Sequence, residues 1–325
     1  ATPILTRQWP VLHRLCRKSW RHEGRRGILY SKNFDSQAVS VPIMFFLKFL
    51  ASGLFYVTNT CVTFGMMVPF ILLKLLPIQP LRTFCARMLM ALAHNWSVCN
   101  EWWMGFLNPL RWSARLPEDL SMRGWYLLVC NHQSWVDILV LQKAFNSRIP
   151  FLKFFIKKEL LYVPLLGIAW WALDYPFMRR RGGASARKDL QAARKACEKF
   201  RHMPTSVISF VEGTRFTAEK HRAQQSPYLH LLQPKAGGIS VALETMGDMF
   251  TSVLDVTIVY PEGVPTFVDV MAGRLKAVSV TVRTLPVPAD LLPQQDQPVQ
   301  RAQVQKWIGA LWQEKDAELS RLLGS

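Results

Sequence analysis

"WYLLVCNHQSWVDILVLQKAF", residues 125–145, changes its pattern twice. "WYLLVCN" is an unbroken apolar run of strand length, as expected for a strand covered on both faces. "WVDILVLQKAF" reads as a helix, with Asp137 near its first turn. The short polar loop between them carries His132. A strand end that opens into a helix is where α/β proteins place their chemistry. A loop of this length can fold back so that the Asp137 carboxylate reaches one imidazole nitrogen. The other nitrogen then faces a cleft as a base of fixed tautomer. The same residues fit a plainer role, a strand-end histidine and a carboxylate at the favourable end of a helix dipole. The spacing alone leaves both open.

Outward from this stretch, "SVISFV" (206–211), "LDVTIVY" (254–260) and "AVSVTVRT" (277–284) are further strand candidates. Helical patterns separate them. Leu190, Ala193, Cys197 and Phe200 share one face of residues 187–201, and Pro204 ends that run. Val304, Ile308, Leu311 and Leu319 mark an amphipathic helix near the C-terminus. Strands alternating with helices imply an α/β fold, a single catalytic domain over 111–325 with a largely parallel sheet flanked by helices.

The preceding residues differ. Residues 1–40 form a basic tail, with Arg7, Arg14, Arg17, Lys18, Arg21, Arg25, Arg26 and Lys32 against Glu23 and Asp35. Residues 50–73 carry no charge, and that length suffices to cross a bilayer. They lie too far along to be a signal peptide, and no small-residue cleavage site follows. "PIQP" (77–80) breaks the run, and a Trp-rich apolar segment follows over 83–110. The sequence therefore predicts a membrane-associated helical hairpin over 41–110. Lys74 and Arg82 sit near its turn. A double crossing would put them on the wrong side of the positive-inside rule, whereas a hairpin dipping into one leaflet would let them snorkel. Both geometries stay open.

Composition agrees with a lipid setting. Hydrophobic residues make up 50%, with 12 Trp and 12 Met, and the formal charge of +18 implies an anionic partner. The six Cys and seven His form no ligand spacing, so neither a disulfide frame nor a metal site is expected.

Two further stretches carry candidate chemistry. In "FVEGTRF" (210–216), Gly213 allows a tight turn, Arg215 offers a planar fork suited to phosphate, and Glu212 is placed to orient Arg215 or touch a substrate. "KKELLYVPLLGIAWWALDYPFMRRR" (157–181) joins basic ends to an apolar middle fit to line an acyl channel. No G-x-S-x-G, Walker A or G-x-G-x-x-G motif is present. Cys130 reads as a core residue.

Taken in order, these blocks resemble the glycerolipid acyltransferase family, which includes the 1-acylglycerol-3-phosphate acyltransferases. "NHQSWVD" resembles its H-x-x-x-x-D signature, "KKELLYVPLLG" with the basic residues after "PFM" its second block, "FVEGTR" its E-G-T-R block, and "VTIVYPEGVP" (256–265) its fourth. The branch with lysocardiolipin-type and bacterial inner-membrane members is the most similar. Val211, Arg179 and Asp255 depart from the common pattern, standing where Pro, Asp and Pro are usual.

The resemblance implies that His132, held by Asp137, takes a proton from a lysophospholipid hydroxyl. Lys157, Arg180 and Arg215 would hold the acceptor phosphate, with Glu212, Gly213 and Thr214 shaping that pocket. The acyl donor would be acyl-CoA or acyl carrier protein, used as a co-substrate, with no other cofactor and no metal. The expected acceptor is 1-acylglycerol-3-phosphate, giving phosphatidate. The expected partners are membrane phospholipids and no nucleic acid, at a cytoplasmic or inner membrane with the catalytic domain facing the cytoplasm. Two rivals remain: a lipid hydrolase using the same His/Asp pair, and a basic protein that binds membranes or nucleic acid without catalysis.

Overall fold

A computed structural model describes residues 34–154, 156–175, 177–178, 191, 198, 200, 203–293 and 299–324, with side chains from residue 43 onward except those of residues 157, 158 and 178. The chain divides into two compact units, Ala1–Ile43 and Met44–Ser325. Every contact below lies in the second.

Two long helices come first, α1 (Phe34–Lys74) and α2 (Gln79–Leu107). α1 begins inside the stretch expected to be a tail, because its helical pattern runs back past the apolar segment. Pro77 breaks the helix, and Pro80 sits in the first turn of α2, where a missing N–H is harmless. The helices pair through a polar and aromatic seam. Asn59 donates to Asn100 at 2.8 Å, Trp96 Nε1 donates to Thr60 at 3.2 Å, and Phe55 stacks on Trp103 at 4.4 Å. From Ile43 to Lys74, α1 is long and apolar enough to cross a membrane. Leu54, Val57, Val62 and Met66 are all exposed on it.

The sheet has six strands: β1 (Arg111–Arg115), β2 (Tyr126–Cys130), β3 (Leu152–Phe154), β6 (Ser206–Phe210), β7 (Ser252–Val259) and β8 (Ala277–Leu285). Their order is β1-β8-β7-β2-β6-β3. A separate parallel pair joins β4 (Ile156–Lys157) to β5 (Phe177–Met178). β2 lies between β6 and β7, parallel to both, with Cys130 level with Phe210 and Val256. All five of its residues are buried, which explains the unbroken apolar run. β7 and β8 pair antiparallel, so the sheet is largely rather than wholly parallel. The expected strands fall within a residue or two of these bounds. β1 and β3 escaped notice because β1 alternates exposed and half-buried residues and β3 has only three.

Alternation along β2 divides the core. Tyr126, Leu128 and Cys130 pack with Val140 and Leu141 of α3 (Val136–Phe145). Leu127 and Val129 pack on the other face against Ile239, Leu243, Ile308 and Trp312. Those four come from the helices Gly237–Met246 and Arg301–Leu323. The helix expected over 187–201 lies outside the described residues apart from isolated positions.

A charged knot sits within the core. Lys315 and Asp255 are both fully buried, 2.6 Å apart, and Arg283 meets the other Asp255 oxygen at 2.6 Å. Lys315 also donates to the Val256 carbonyl and the Thr257 hydroxyl. An Asp thus takes the usual proline position because a buried Lys neutralises it.

Candidate active site

The site lies at the carboxyl ends of β2, β6 and β7. The chain leaves β2 toward β3 on one side and leaves its neighbour β7 toward β8 on the other, which opens a crevice beside β2. The loop after β2 folds back. His132 Nδ1 lies 2.8 Å from Asp137 Oδ2. Asp137 is fully buried. Its Oδ2 also accepts the backbone N–H groups of Gln133 (2.7 Å) and Ser134 (2.9 Å), while Oδ1 accepts the Tyr260 hydroxyl at 2.6 Å. A carboxylate can only accept, so Nδ1 carries the proton and Nε2 keeps its lone pair. The imidazole stacks on Phe210 with ring centres 4.0 Å apart and is 13% exposed. That is enough access for one proton transfer.

The loop after β6 meets this one. The Phe216 N–H donates to the His132 carbonyl at 2.7 Å. Glu212 is fully buried. Its two oxygens accept the backbone N–H groups of His132 (3.0 Å) and Leu232 (3.2 Å). Burial pushes its carboxyl up to about 8 against the pull of those two donors. The Glu212 carboxyl, expected to shape the acceptor pocket or orient Arg215, points into the protein and props the backbone of His132. Gly213 has φ +70°, where a side chain would strain the turn. The Lys235 side chain lies over it, 3.5 Å from where a Cβ would stand. Lys220 Nζ donates to the Thr214 hydroxyl (2.8 Å) and the Arg215 carbonyl (3.0 Å), which pins the turn. The Arg215 guanidinium lies 4.8 Å from the Trp135 ring centre.

Trp135 also lines a cavity of about 520 Å³. Phe64 and Met67 of α1, Ile138 and Leu139 of α3, and Leu160 and Trp170 form much of its wall. Leu165, at φ +63°, turns the chain into the short helix α4 (Leu166–Ala172). A Cβ on Gly167 would stand 1.9 Å from the Leu161 carbonyl oxygen, so only glycine fits. The apolar middle of 157–181 thus lines a cavity. Lys157 is described only as part of β4, and Arg180 lies outside the described residues. Among the described residues no group of three His, Cys, Asp or Glu side chains could hold a metal ion.

Residues 113–263 match the acyltransferase family model. That span holds both loops and the strands that bring them together. The chain carries an acyltransferase-family domain. It is 27% identical over 296 residues to the human 1-acyl-sn-glycerol-3-phosphate acyltransferase delta, covering 85% of this chain and 71% of the relative. To the human gamma enzyme it is 30% identical over 171 residues, covering 50% of this chain and 43% of that one. The fold is similar to the crystal structure of the 1-acyl-sn-glycerophosphate (LPA) acyltransferase PlsC from Thermotoga maritima. The TM-score is 0.50 at 18% identity, over 85% of this chain and 98% of that one.

In this acyltransferase the loop that carries His132 and Asp137 meets the loop that carries Glu212, Gly213, Thr214 and Arg215. Sequence reasoning missed Trp135, Lys220, Lys235 and Tyr260. Tyr260 and Trp135 left a trace, since they lie inside the fourth and first blocks. The others depend on how loops fold over one another.

Proposed function

We propose that this acyltransferase moves a fatty acyl group from an acyl thioester, acyl-CoA or acyl carrier protein, to the free hydroxyl of 1-acylglycerol-3-phosphate, giving phosphatidate. One observation carries the reading. Trp135, on the loop between His132 and Asp137, lines a large apolar cavity and also lies against the Arg215 guanidinium of the turn that Lys235 covers. That division matches an amphipathic substrate pair. Arg215 and Lys235 hold the acceptor phosphate, and the cavity takes the acyl chain. His132 Nε2 removes the hydroxyl proton as the oxygen attacks the thioester carbonyl. The tetrahedral intermediate collapses, the C–S bond breaks, and the thiolate takes the proton back from the imidazolium. The donor is already activated, so the mechanism uses no covalent acyl-enzyme. The names of the relatives support this acceptor.

The same reading makes the hairpin a one-leaflet platform. Lys48 packs over Gly273, Ser52 donates to the Met271 carbonyl at 2.8 Å, Tyr56 meets Phe267, and Lys74 pairs with Asp174 at 2.6 Å. Between Lys48 and Lys74 the helix runs about 40 Å at 1.5 Å per residue. The hydrocarbon core is only about 30 Å thick. A helix held by the α/β body at both ends of that stretch cannot thread the bilayer. Lys74, awkward for a crossing, has its counter-ion in the α/β body. The enzyme therefore sits on the cytoplasmic face, where both donors are found.

The test is transfer of labelled acyl chains to a panel of lysophospholipids in bilayers. Wild type should acylate 1-acylglycerol-3-phosphate, and His132→Ala should lose about 10²–10⁴-fold in turnover while staying folded. Free fatty acid as the main product would favour the hydrolase. Near-normal transfer by His132→Ala would remove the base.

A further inference from the structure

The geometry points to Tyr260 as a positioning residue for the catalytic base, and to the fourth block as the brace that sets the His132 loop. The inference rests on His132 and Asp137 acting as above, and concerns a residue 123 positions away along the chain.

Three ties join the end of β7 to the His132 loop. The Asn131 side chain clamps Ile258 through both its N–H and its carbonyl, each at 2.9 Å. Ser134 Oγ donates to the Pro265 carbonyl at 2.5 Å. Tyr260 Oη donates to Asp137 Oδ1 at 2.6 Å. The first two fix backbone. The third touches the catalytic carboxylate on the oxygen that His132 does not use, and Tyr260 is only 4% exposed. The phenol therefore sets which way the carboxylate plane turns, and with it the direction of His132 Nε2. Removing water from around a buried carboxylate makes each remaining donor count.

Tyr260 stays a donor. Burial and the neighbouring Asp137 carboxylate, which would repel a phenolate, push its hydroxyl well above the ordinary range. The other ionisable groups around it are Cys130, against the phenol, then Glu212, Asp255 and Lys315, which act on Cys130 together with Asp137. Burial holds the Cys130 thiol up as well. Of the ionisable side chains nearby, His132 and Tyr260 touch the Asp137 carboxylate.

Without the phenol, the carboxylate keeps more negative charge toward the imidazole and is itself easier to protonate. Both changes move the acid limb of the kcat/KM profile to higher pH. Tyr260→Phe keeps the ring and its packing and removes only the donor. The full-length enzyme in bilayers should lose about tenfold in kcat, with both KM values within about twofold, since a hydrogen bond to a charged group is worth roughly 1.5–3 kcal/mol. Its acid limb should shift upward. A fluorotyrosine at 260, a stronger donor of nearly the same shape, should move the limb the opposite way and covers the case in which Tyr260→Phe folds poorly. His132→Ala is assayed alongside. If His132→Ala is dead while Tyr260→Phe matches wild type in kcat and the limb stays put in both Tyr260 variants, the positioning role is wrong and the base stands. If His132→Ala is active, the base itself is wrong.

Discussion

Glu212→Gln separates a buried prop from a surface ligand. In the wild type the carboxyl is fully buried and pushed from its ordinary 4.5 to about 8. Between those values the folded chain holds a proton that the unfolded chain has released. Its contribution to stability is therefore complete below pH 4.5 and drains away as pH rises to about 8. The slope is about 1.4 kcal/mol per pH unit across that window. Glutamine has no proton to lose, so the variant lacks this slope. It has a cost of its own. The amide nitrogen cannot accept, so the N–H of His132 or Leu232 is orphaned, at about 1–3 kcal/mol. At pH 5 the wild type should melt higher. The gap should close by roughly 2 °C per pH unit and reverse between about pH 5 and pH 7. Thermal melts of both proteins from pH 5 to 8.5, in one detergent, measure it. The kcat of the variant at pH 7 should also fall, because the His132 backbone has lost a support. A melting difference that stays constant across that range would refute the argument, since Glu212 would not then be a buried group that gains a proton on folding.

Arg215→Lys keeps the charge but loses the fork, so the acceptor KM should rise about tenfold with the donor KM unchanged; a defect confined to the donor would move Arg215 to the thioester side. Ala169→Phe fills part of the cavity wall, so transfer from long acyl thioesters should fall about tenfold while short ones stay within about twofold, read from a chain-length series. Lys315→Met strips Asp255 of its buried counter-ion and should cost about 3–5 kcal/mol; a melt within about 1 kcal/mol of wild type would mean that Arg283 alone neutralises the carboxylate.

Much of the framework was legible in the sequence for a local reason. β2, β6 and β7 are buried on both faces, so each shows as an apolar run, and Pro77 with Pro80 marks the hairpin turn. His132 and Asp137 are five positions apart, within reach of one loop. What escaped depends on register. Tyr260 reaches Asp137 only because β7 lies beside β2 in parallel, and Phe216 reaches His132 only because β6 lies on the other side. Glu212 and Lys315 carry charges that a sequence alone would leave at the surface. They are buried because backbone N–H groups and Asp255 receive them, and such partners come only with the folded chain.

α1 turns Leu54, Val57, Val62 and Met66 outward and Thr60, Phe64 and Met67 into the cavity. The anchor and the cavity wall are thus one rod. With the acyl chain in the cavity as proposed above, lateral pressure in the lipid bears on the same helix that measures it, so the membrane acts as an outer mould for the substrate site. In a micelle that mould is absent. The chain lengths this enzyme selects in bilayers of different thickness are therefore a property of protein and lipid together, and the membrane it builds feeds back on what it builds next.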